Sequence, residues 1–527
     1  MTTIFTLLSR GYFPREIPPP FTTIPFAKFI VDYVHRLPNA FTEGKRATHL
    51  LRHDVPRIGA KRRLLSIPNP IAQFNLSAAI IQHWSTLNTH CHESTLSCST
   101  PVFNKNGGQA IIPSFGFADL TQKRASIRSF AKYILRTDIS RFYPSIYSHS
   151  IPWALHTKPT AKLNRKDKTL AGNVLDERIR KSQDDQTIGI PISPDTSFII
   201  AETVLTAFDK LLVSKYTALR GFRYIDDMEF GFGTYREAQE ALAQVRDILR
   251  EFELSTNDTK TRIIELPVPL DETWVAELRG FAFRTNKTKY LQSDIATFFD
   301  KLFSLQAQFP DDTVIKYGVQ QLRSIPFDAK SWEFTQRYLF QCLMVDTSTF
   351  LVILPLLQSQ QKAQLKVDLS TLTHIINYQI QECCPMYFGN EVAWALWAAI
   401  YWNLHIGKKA AVALSNMTDP VVAVIALDAH QRGLIPNDLD TTRWEQFLNR
   451  EALYEPQWLL AYEANVKGWL PQKGKTDYVA SDSCFGLMKA AGVSFYDPAK
   501  VRSAKLTSAA PSNTVVPLFS FDVESPS

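Results

Sequence analysis

Several absences narrow the reading before any motif does. No run of about 18 apolar residues without charge occurs in the 527-residue chain, so no membrane-spanning helix is expected. The opening stretch MTTIFTLLSRGYFPREIPPPF meets Arg and Pro too early for a secretory signal, which points to a cytoplasmic protein with no membrane partner. Cysteine is scarce: Cys91, Cys98, Cys342, Cys383, Cys384 and Cys484 fall at no framework spacing, which suits a reducing compartment in which disulfides do not form. HCHESTLSC (90–98) brings His90, Cys91, His92 and Cys98 close together. No paired C-x-x-C or H-x-x-x-H completes a tetrahedral set elsewhere, so zinc is not expected there. No internal repeat has a plain period.

What is present is a globular composition, 45% hydrophobic, long enough for two or three domains with a large buried core. The net charge of +7 is unevenly spread. Residues 1–200 carry 26 Lys and Arg against 13 Asp and Glu, residues 201–283 carry 10 against 15, and the remainder carries 22 against 23. A basic front half followed by an acidic patch suggests a polyanion held near a cation site, although a solvated basic face gives the same count.

Along the chain, FAKFIVDYVHRL has helical apolar spacing, and GAKRRLLSIPNP (59–70) reads as a strand or hairpin ending in a turn. AKYILRTDISRFYPSIY (131–147) is a strand followed by a turn. SFIIAETVLTAFDKLLVSK (197–215) is helical, and FRYIDDMEFGF (222–232) alternates as a hairpin with its aspartates at the bend. REAQEALAQVRDILREFEL (236–254) is an amphipathic helix, and ELRGFAF (277–283) reads as another short strand. Beyond about residue 290, segments such as NEVAWALWAAIYWNLHIG and PQWLLAYEANVKGWL are helical with little strand between them, as in stacked helix pairs. The tail SAAPSNTVVPLFSFDVESPS reads as extended or loosely ordered.

Two adjacent aspartates, Asp226 and Asp227, repel each other unless a cation separates them. Two-metal phosphoryl-transfer sites hold divalent ions about 3.5–4 Å apart between carboxylates, one of which comes from a separate strand. Asp138, ending the run YILRTD, is the candidate, with Tyr143 five residues on to lie against a nucleotide sugar. Taken alone, a D-D pair is an ordinary hairpin turn and Asp138 an N-cap; it is the ordered set that favours a site.

YIDD (224–227) resembles the Y-x-D-D motif of reverse transcriptases, TDISRFYPSIY (137–147) their motif A, and GIPISPDTS (189–197) their motif B. NDTKT (257–261) is similar to motif D, LRGFAF (278–283) to motif E, and KRRLLSIPNP (61–70) to the basic finger segment that meets the triphosphate. The order and gaps match over roughly residues 10–285. More narrowly, SIYSHSIPWALHTKPTAKLNR (145–165) and RGYFPREIPPPF resemble the abortive-infection (AbiK-like and unknown-group) reverse transcriptases of bacterial phage defence.

The resemblance implies an α+β fold, with a reverse-transcriptase fingers and palm domain over residues 1–285 and an all-α helical-repeat (HEAT-like) domain over 286–527 that ends in the loose tail. It implies a nucleotidyltransferase that makes DNA from dNTPs without a template, primed from the protein itself, in homo-oligomers (trimer or hexamer), with single-stranded DNA attached through a tyrosine. Two Mg²⁺ ions, or Mn²⁺ in their place, would be held by Asp138, Asp226, Asp227 and the Ile139 carbonyl. Lys61, Arg62 and Arg63 would meet the triphosphate, Tyr143 would screen the 2′ position beside Gly189, and Lys260 would donate a proton to pyrophosphate.

Retroviral-type enzymes carry Gln before the motif B glycine. Here Ile188 precedes Gly189, which sets template-faithful selection apart from the metal chemistry. No family tyrosine motif marks a priming residue among the 18 tyrosines. Lys158, Lys162 and Arg165, following Trp153, read equally as phosphate contacts for a nascent strand or as a solvated loop. The aromatics at 394, 397, 401 and 402 read as core rather than as a base-stacking platform. Two alternatives stand beside the template-free polymerase: an RNA-templated enzyme using a non-coding RNA, and a non-catalytic scaffold whose helical half binds a phage component. No endonuclease motif or RNase H-like carboxylate set supports a mobile element.

Overall fold

The computed structural model describes residues 3–57, 61–216, 219–472, 474 and 476–502. Gly59 and Ala60 of the basic finger segment, and the tail read as loose, lie outside the described residues. Among the described residues, runs rich in branched and aromatic residues form eight strands: β1 (Leu51–Pro56), β2 (Arg62–Ile67), β3 (Pro101–Phe103), β4 (Ile111–Pro113), β5 (Tyr133–Thr137), β6 (Arg220–Tyr224), β7 (Asp227–Phe232) and β8 (Arg262–Glu265). β1 pairs with β2 and β3 with β4, while the other four form one antiparallel sheet in the order β6-β7-β5-β8.

Helices cover one side of that sheet. The Asp195–Lys215 helix buries Ile199, Ile200, Val204, Leu205, Phe208 and Leu212. The Tyr235–Glu251 helix starts at a capping box in which Thr234 and Glu237 satisfy each other's backbone amides. Its Ala238, Ala241, Val245, Ile248 and Leu249 recur at helical spacing and face the core. These side chains share one apolar cluster with Leu135, Ile139 and Phe230 of the sheet region.

The strand expected over 277–283 is instead the end of a helix, Thr273–Arg279, followed by irregular chain. Trp274 and Leu278, four residues apart, are both buried, and a helix brings them onto one face where a strand would also align them but leave the intervening backbone unpaired. From there on, every described element is helical. Helices stack in rows of alternate members. Thr288–Gln308, Ala329–Val345 and Leu369–Cys383 follow one another in one row, and Phe350–Lys362, Gly389–Trp402, Pro420–Gln431 and Trp458–Lys467 in the other. Trp394, Trp397 and Trp402 are core, as their spacing suggests. No described helix is long and apolar enough to cross a membrane.

The boundary expected near residue 285 is crossed by a shared core. Leu8, Tyr12, Phe26, Phe41 and Leu51 from the front of the chain pack into the same apolar mass as Trp332, Trp397 and Trp458. The β1–β2 hairpin also carries polar anchors into the helical half. His53, fully buried, places Nδ1 2.8 Å from Asp419 Oδ2. Arg62 forks onto Glu391 and Asp54 and lies 3.8 Å from the Phe388 ring centroid.

Candidate active site

Strand register assembles the site. Thr137 pairs with Met228, so one step further Asp138 comes level with Asp227, which itself pairs with Tyr224. On the other side of β5, Arg136 pairs with Arg262 and the Thr137 and Thr261 hydroxyl oxygens are 2.8 Å apart. That continuation brings Lys260 beside Asp138, with its Nζ 2.7 Å from Asp138 Oδ2. Side chains level with one another on neighbouring antiparallel strands emerge on the same face. Lys260, Asp138 and Asp227 therefore gather at one end of the sheet, and Asp226 sits in the turn that joins β6 to β7.

The turn is tight and strained. Ile225 has φ +57°, a left-handed conformation that β-branched residues avoid, at the first position of a two-residue hairpin where glycine is usual. Buried polar groups hold it there. The Ile225 amide donates to Ser99 Oγ at 2.8 Å, and Arg223 Nη1 donates to the Ile225 carbonyl at 2.8 Å. Arg223 is itself fully buried and paired with Glu202 (2.8 Å) and Asp209 (2.8 Å), whose charges hold its guanidinium firmly protonated against burial. Ser97 and Ser99 donate to Glu202, and Ser94 to Asp209. Ser99, Glu202, Asp209 and Arg223 were not among the residues singled out by motif. The signal for them was available: Glu202 and Asp209 are seven residues apart, two turns along one face of an otherwise apolar helix, and such a face tolerates carboxylates only with a buried cation opposite.

Asp138 and Asp226 are buried, at 3% and 7% exposure. Burial first, then the neighbouring Asp227 and Asp138 charges, hold the Asp226 carboxyl well above the ordinary carboxylate range, while Lys260 pulls the other way. Asp226 Oδ2 is buried with no hydrogen-bond partner. Among the described residues, no three His, Cys, Asp or Glu side chains already stand at metal-ligating spacing. Ile139 continues the line of β5 with its side chain in the core and bridges Thr256, while the Asn257 amide donates to the Asp138 carbonyl at 2.8 Å.

A cavity of about 120 Å³ opens against this end of the sheet, walled by Ile225 and Tyr143. Tyr143 is buried, and burial, then the Asp226 charge, raises its phenol above the usual range. Gly189 (φ +84°) sits behind it. A Cβ there would come within 3.1 Å of the Pro144 carbonyl, and the next amide, Ile190, donates to the Tyr143 carbonyl at 2.9 Å. Of the three consecutive finger cations only Arg63 lines the cavity, since Arg62 is turned to Glu391 and Lys61 pairs with the exposed Asp311 at 2.9 Å. Residues to which no motif assigned a role complete the lining, among them Arg10, Arg15 and Glu16 of RGYFPREIPPPF, Gln109, and Ser193 and Asp195 of GIPISPDTS. Lys158 lies 4.1 Å from the Trp153 ring centroid and 3.7 Å from Glu253, while Lys162 and Arg165 are exposed; none of the three lines the cavity. In the His90 segment, His90 Nε2 bonds the Thr203 carbonyl and His92 Nδ1 the Asn88 carbonyl.

No family model matches the chain, and no curated protein does. Among solved structures, it is similar at 11% identity to telomerase from Candida albicans in complex with a fragment of telomeric RNA, with a TM-score of 0.28 over 62% of each chain. It is similar at 11% identity to apo telomerase from Candida tropicalis, with a TM-score of 0.32 over 78% of this chain and 70% of that one. The chain thus spans 62% of the length of the first of these.

Proposed function

We propose that the chain is a reverse-transcriptase-like nucleotidyltransferase that builds DNA from dNTPs at the Asp138, Asp226 and Asp227 end of the sheet. The observation that carries this reading is the convergence of three carboxylates from two separate chain segments, beside Lys260 and a cavity walled by Tyr143. Hard oxygen donors, an unpartnered buried Asp226 Oδ2 and mutual repulsion that burial sharpens fit divalent magnesium. Asp138, Asp226 and Asp227 would hold it, and when bound it supplies charge that favours attack by a hydroxyl on an α-phosphate and loss of pyrophosphate. Lys260, now paired to Asp138, is placed to turn to that pyrophosphate and give it a proton. Tyr143 closes the space beside the sugar, and the Arg223 network keeps the Asp226 turn from relaxing.

The finer reading is template-free, protein-primed synthesis by a homo-oligomer in bacterial phage defence. It is supported by the motif resemblance and by Ile188 standing where templated enzymes carry Gln. Its test is direct: purified protein, Mg²⁺ and each dNTP are incubated without template. DNA that protease treatment releases or shortens is the expected product. Incorporation only when an RNA template is added overturns the template-free reading, and none under either condition overturns the polymerase.

A further inference from the structure

Three guanidiniums, from Arg10, Arg15 and Arg63, line the cavity beside Asp226, and the acids in the same lining are Glu16 and Asp195. Arg15 makes no hydrogen bond or ion pair with any described residue. Partial desolvation by its neighbours holds its guanidinium below the usual range even though the residue reaches solvent, and the charges of Asp195 and Glu16 oppose that shift. Asp195 is a weak counterweight. Burial pushes its carboxyl up to about 6, and its Oδ2 already accepts the Ile111 amide at 2.9 Å. Lys316, from the Val314–Gln321 helix of the helical half, adds positive charge at the same end. Burial holds its ammonium below the usual range, with Glu16 and Asp346 opposing and Arg63 assisting.

Arg10, Arg63 and Lys316 are half-buried and Arg15 is exposed. Cations gathered in this way are costly unless an anion joins them, and planar guanidiniums match phosphate oxygens better than any other side chain. The N-terminal segment is also held in place for the task. The Asp195 amide donates to the Gly11 carbonyl at 2.8 Å, and a Cβ at Gly11 would lie 2.8 Å from Asp195 Oδ2, so only glycine lets the chain pass so close. Arg10 Nη2 donates to the Asn104 carbonyl at 2.6 Å, which fixes one flank of the cavity.

We propose that this cavity takes the polyphosphate of a nucleoside triphosphate, and that Arg15 and Arg10 of the N-terminal segment, with Arg63, are the groups that bind it. The choice of nucleotide rests on the function proposed above; the anion site does not. Binding is measured on the full chain by calorimetry without divalent metal, using dATP, inorganic tripolyphosphate and deoxyadenosine as probes, with thermal melting to confirm folding. Wild type should bind dATP and tripolyphosphate, and deoxyadenosine not at all. Arg15→Ala should weaken both anions about tenfold or more, Arg15→Lys should recover part of the loss, and Arg10→Ala should weaken them about threefold. If Arg15→Ala does not fold, Arg15→Lys and Arg10→Ala decide. Unchanged affinity in the folded variants overturns the proposal, as does binding of deoxyadenosine without tripolyphosphate, which would make the cavity a base pocket. Arginine-dependent dATP binding in a protein that never makes DNA would leave this site standing and sink the polymerase.

Discussion

The carboxylate cluster and the basic cluster, both marked in the sequence as parts of one site, fare differently in the fold. Asp138 is far along the chain from Asp226 and Asp227 yet meets them, because antiparallel register brings the end of β5 beside the β6–β7 turn. Lys61, Arg62 and Arg63 are consecutive yet part. Side chains alternate along a strand, so Arg63 faces the cavity while its neighbour Arg62 faces the helical half. Adjacency in sequence is therefore a poor guide to a shared role on a strand, whereas register across strands is a good one. The same contrast separates two buried carboxyls. Glu463 accepts the Phe495 amide and the Ser494 hydroxyl, one on each oxygen, whereas Asp226 Oδ2 has no such partner. A satisfied carboxyl belongs to the architecture, whereas an unpartnered one leaves a lone pair open to the metal proposed above.

The largest effect should come from breaking the carboxylate side of the comparison. Asp226→Asn keeps the shape of the turn and removes one charge from the set, and nucleotide addition should fall by roughly a thousandfold or more. Mg²⁺ should raise the melting temperature of wild type and leave that of the variant unmoved. Wild-type incorporation by Asp226→Asn would remove the three aspartates from the chemistry.

On the basic side, Glu391→Ala leaves Arg62 half-buried with Asp54 alone, and loss of one partner of a buried pair costs about 3–5 kcal/mol. Urea unfolding should register that loss. A change below about 1 kcal/mol would mean that the finger hairpin is not anchored to the helical half through Arg62.

Glu463 sharpens the distinction between satisfied and unpartnered carboxyls. Burial raises it from its ordinary 4.5 to about 7. The folded state thus binds its proton more tightly than the unfolded chain does. Its contribution is most favourable below pH 4.5 and is lost as pH rises to about 7, a fall on the order of 3 kcal/mol. Glu463→Gln should flatten that fall in denaturant midpoints measured across this window and leave nucleotide addition unchanged. An unaltered slope would place the titration elsewhere.

How much of this was legible depends on the kind of signal each residue leaves. The gathering of Asp138, Asp226, Asp227 and Lys260 at one end of the sheet was readable because strand alternation and ordered motifs both mark them, and β5, the β6–β7 hairpin and the Tyr235–Glu251 helix fell where the pattern put them. ELRGFAF misled because Trp274, just upstream of that stretch, pairs with Leu278 at helical spacing. Arg62 misled because its partner, Glu391, is over three hundred residues away, and no local pattern reports a contact of that range. Arg10 and Arg15 lie in RGYFPREIPPPF, a stretch marked by resemblance but assigned no role, and the closeness of Gly11 to Asp195 brings them to the cavity.

A smaller effect concerns the wall between the two clusters. Tyr143→Ala removes the ring beside the sugar space, and discrimination against ribonucleotides should relax by roughly tenfold to a hundredfold, the range that one side chain's bulk commonly gives. Competition between dATP and ATP in the incorporation assay measures it. An unchanged ratio would mean that Tyr143 does not face the substrate.

The smallest effect is expected at Lys61, and it separates the three finger cations most cleanly. Lys61 is partly exposed and Asp311 largely so, with side-chain accessibilities of 38% and 79%, so water and salt screen their attraction and the entropy of holding the lysine in place offsets much of what remains. Lys61→Ala should shift stability by less than about 0.5 kcal/mol. It should also leave nucleotide addition within about twofold, because its ammonium is turned to Asp311 and does not line the cavity. Arg63→Ala in the same assay should lose far more. If Lys61→Ala instead matched Arg63→Ala in raising the dNTP concentration needed for half-maximal rate, Lys61 would have to leave Asp311 and reach the triphosphate, and the pairing that keeps it from the cavity would not hold during nucleotide addition.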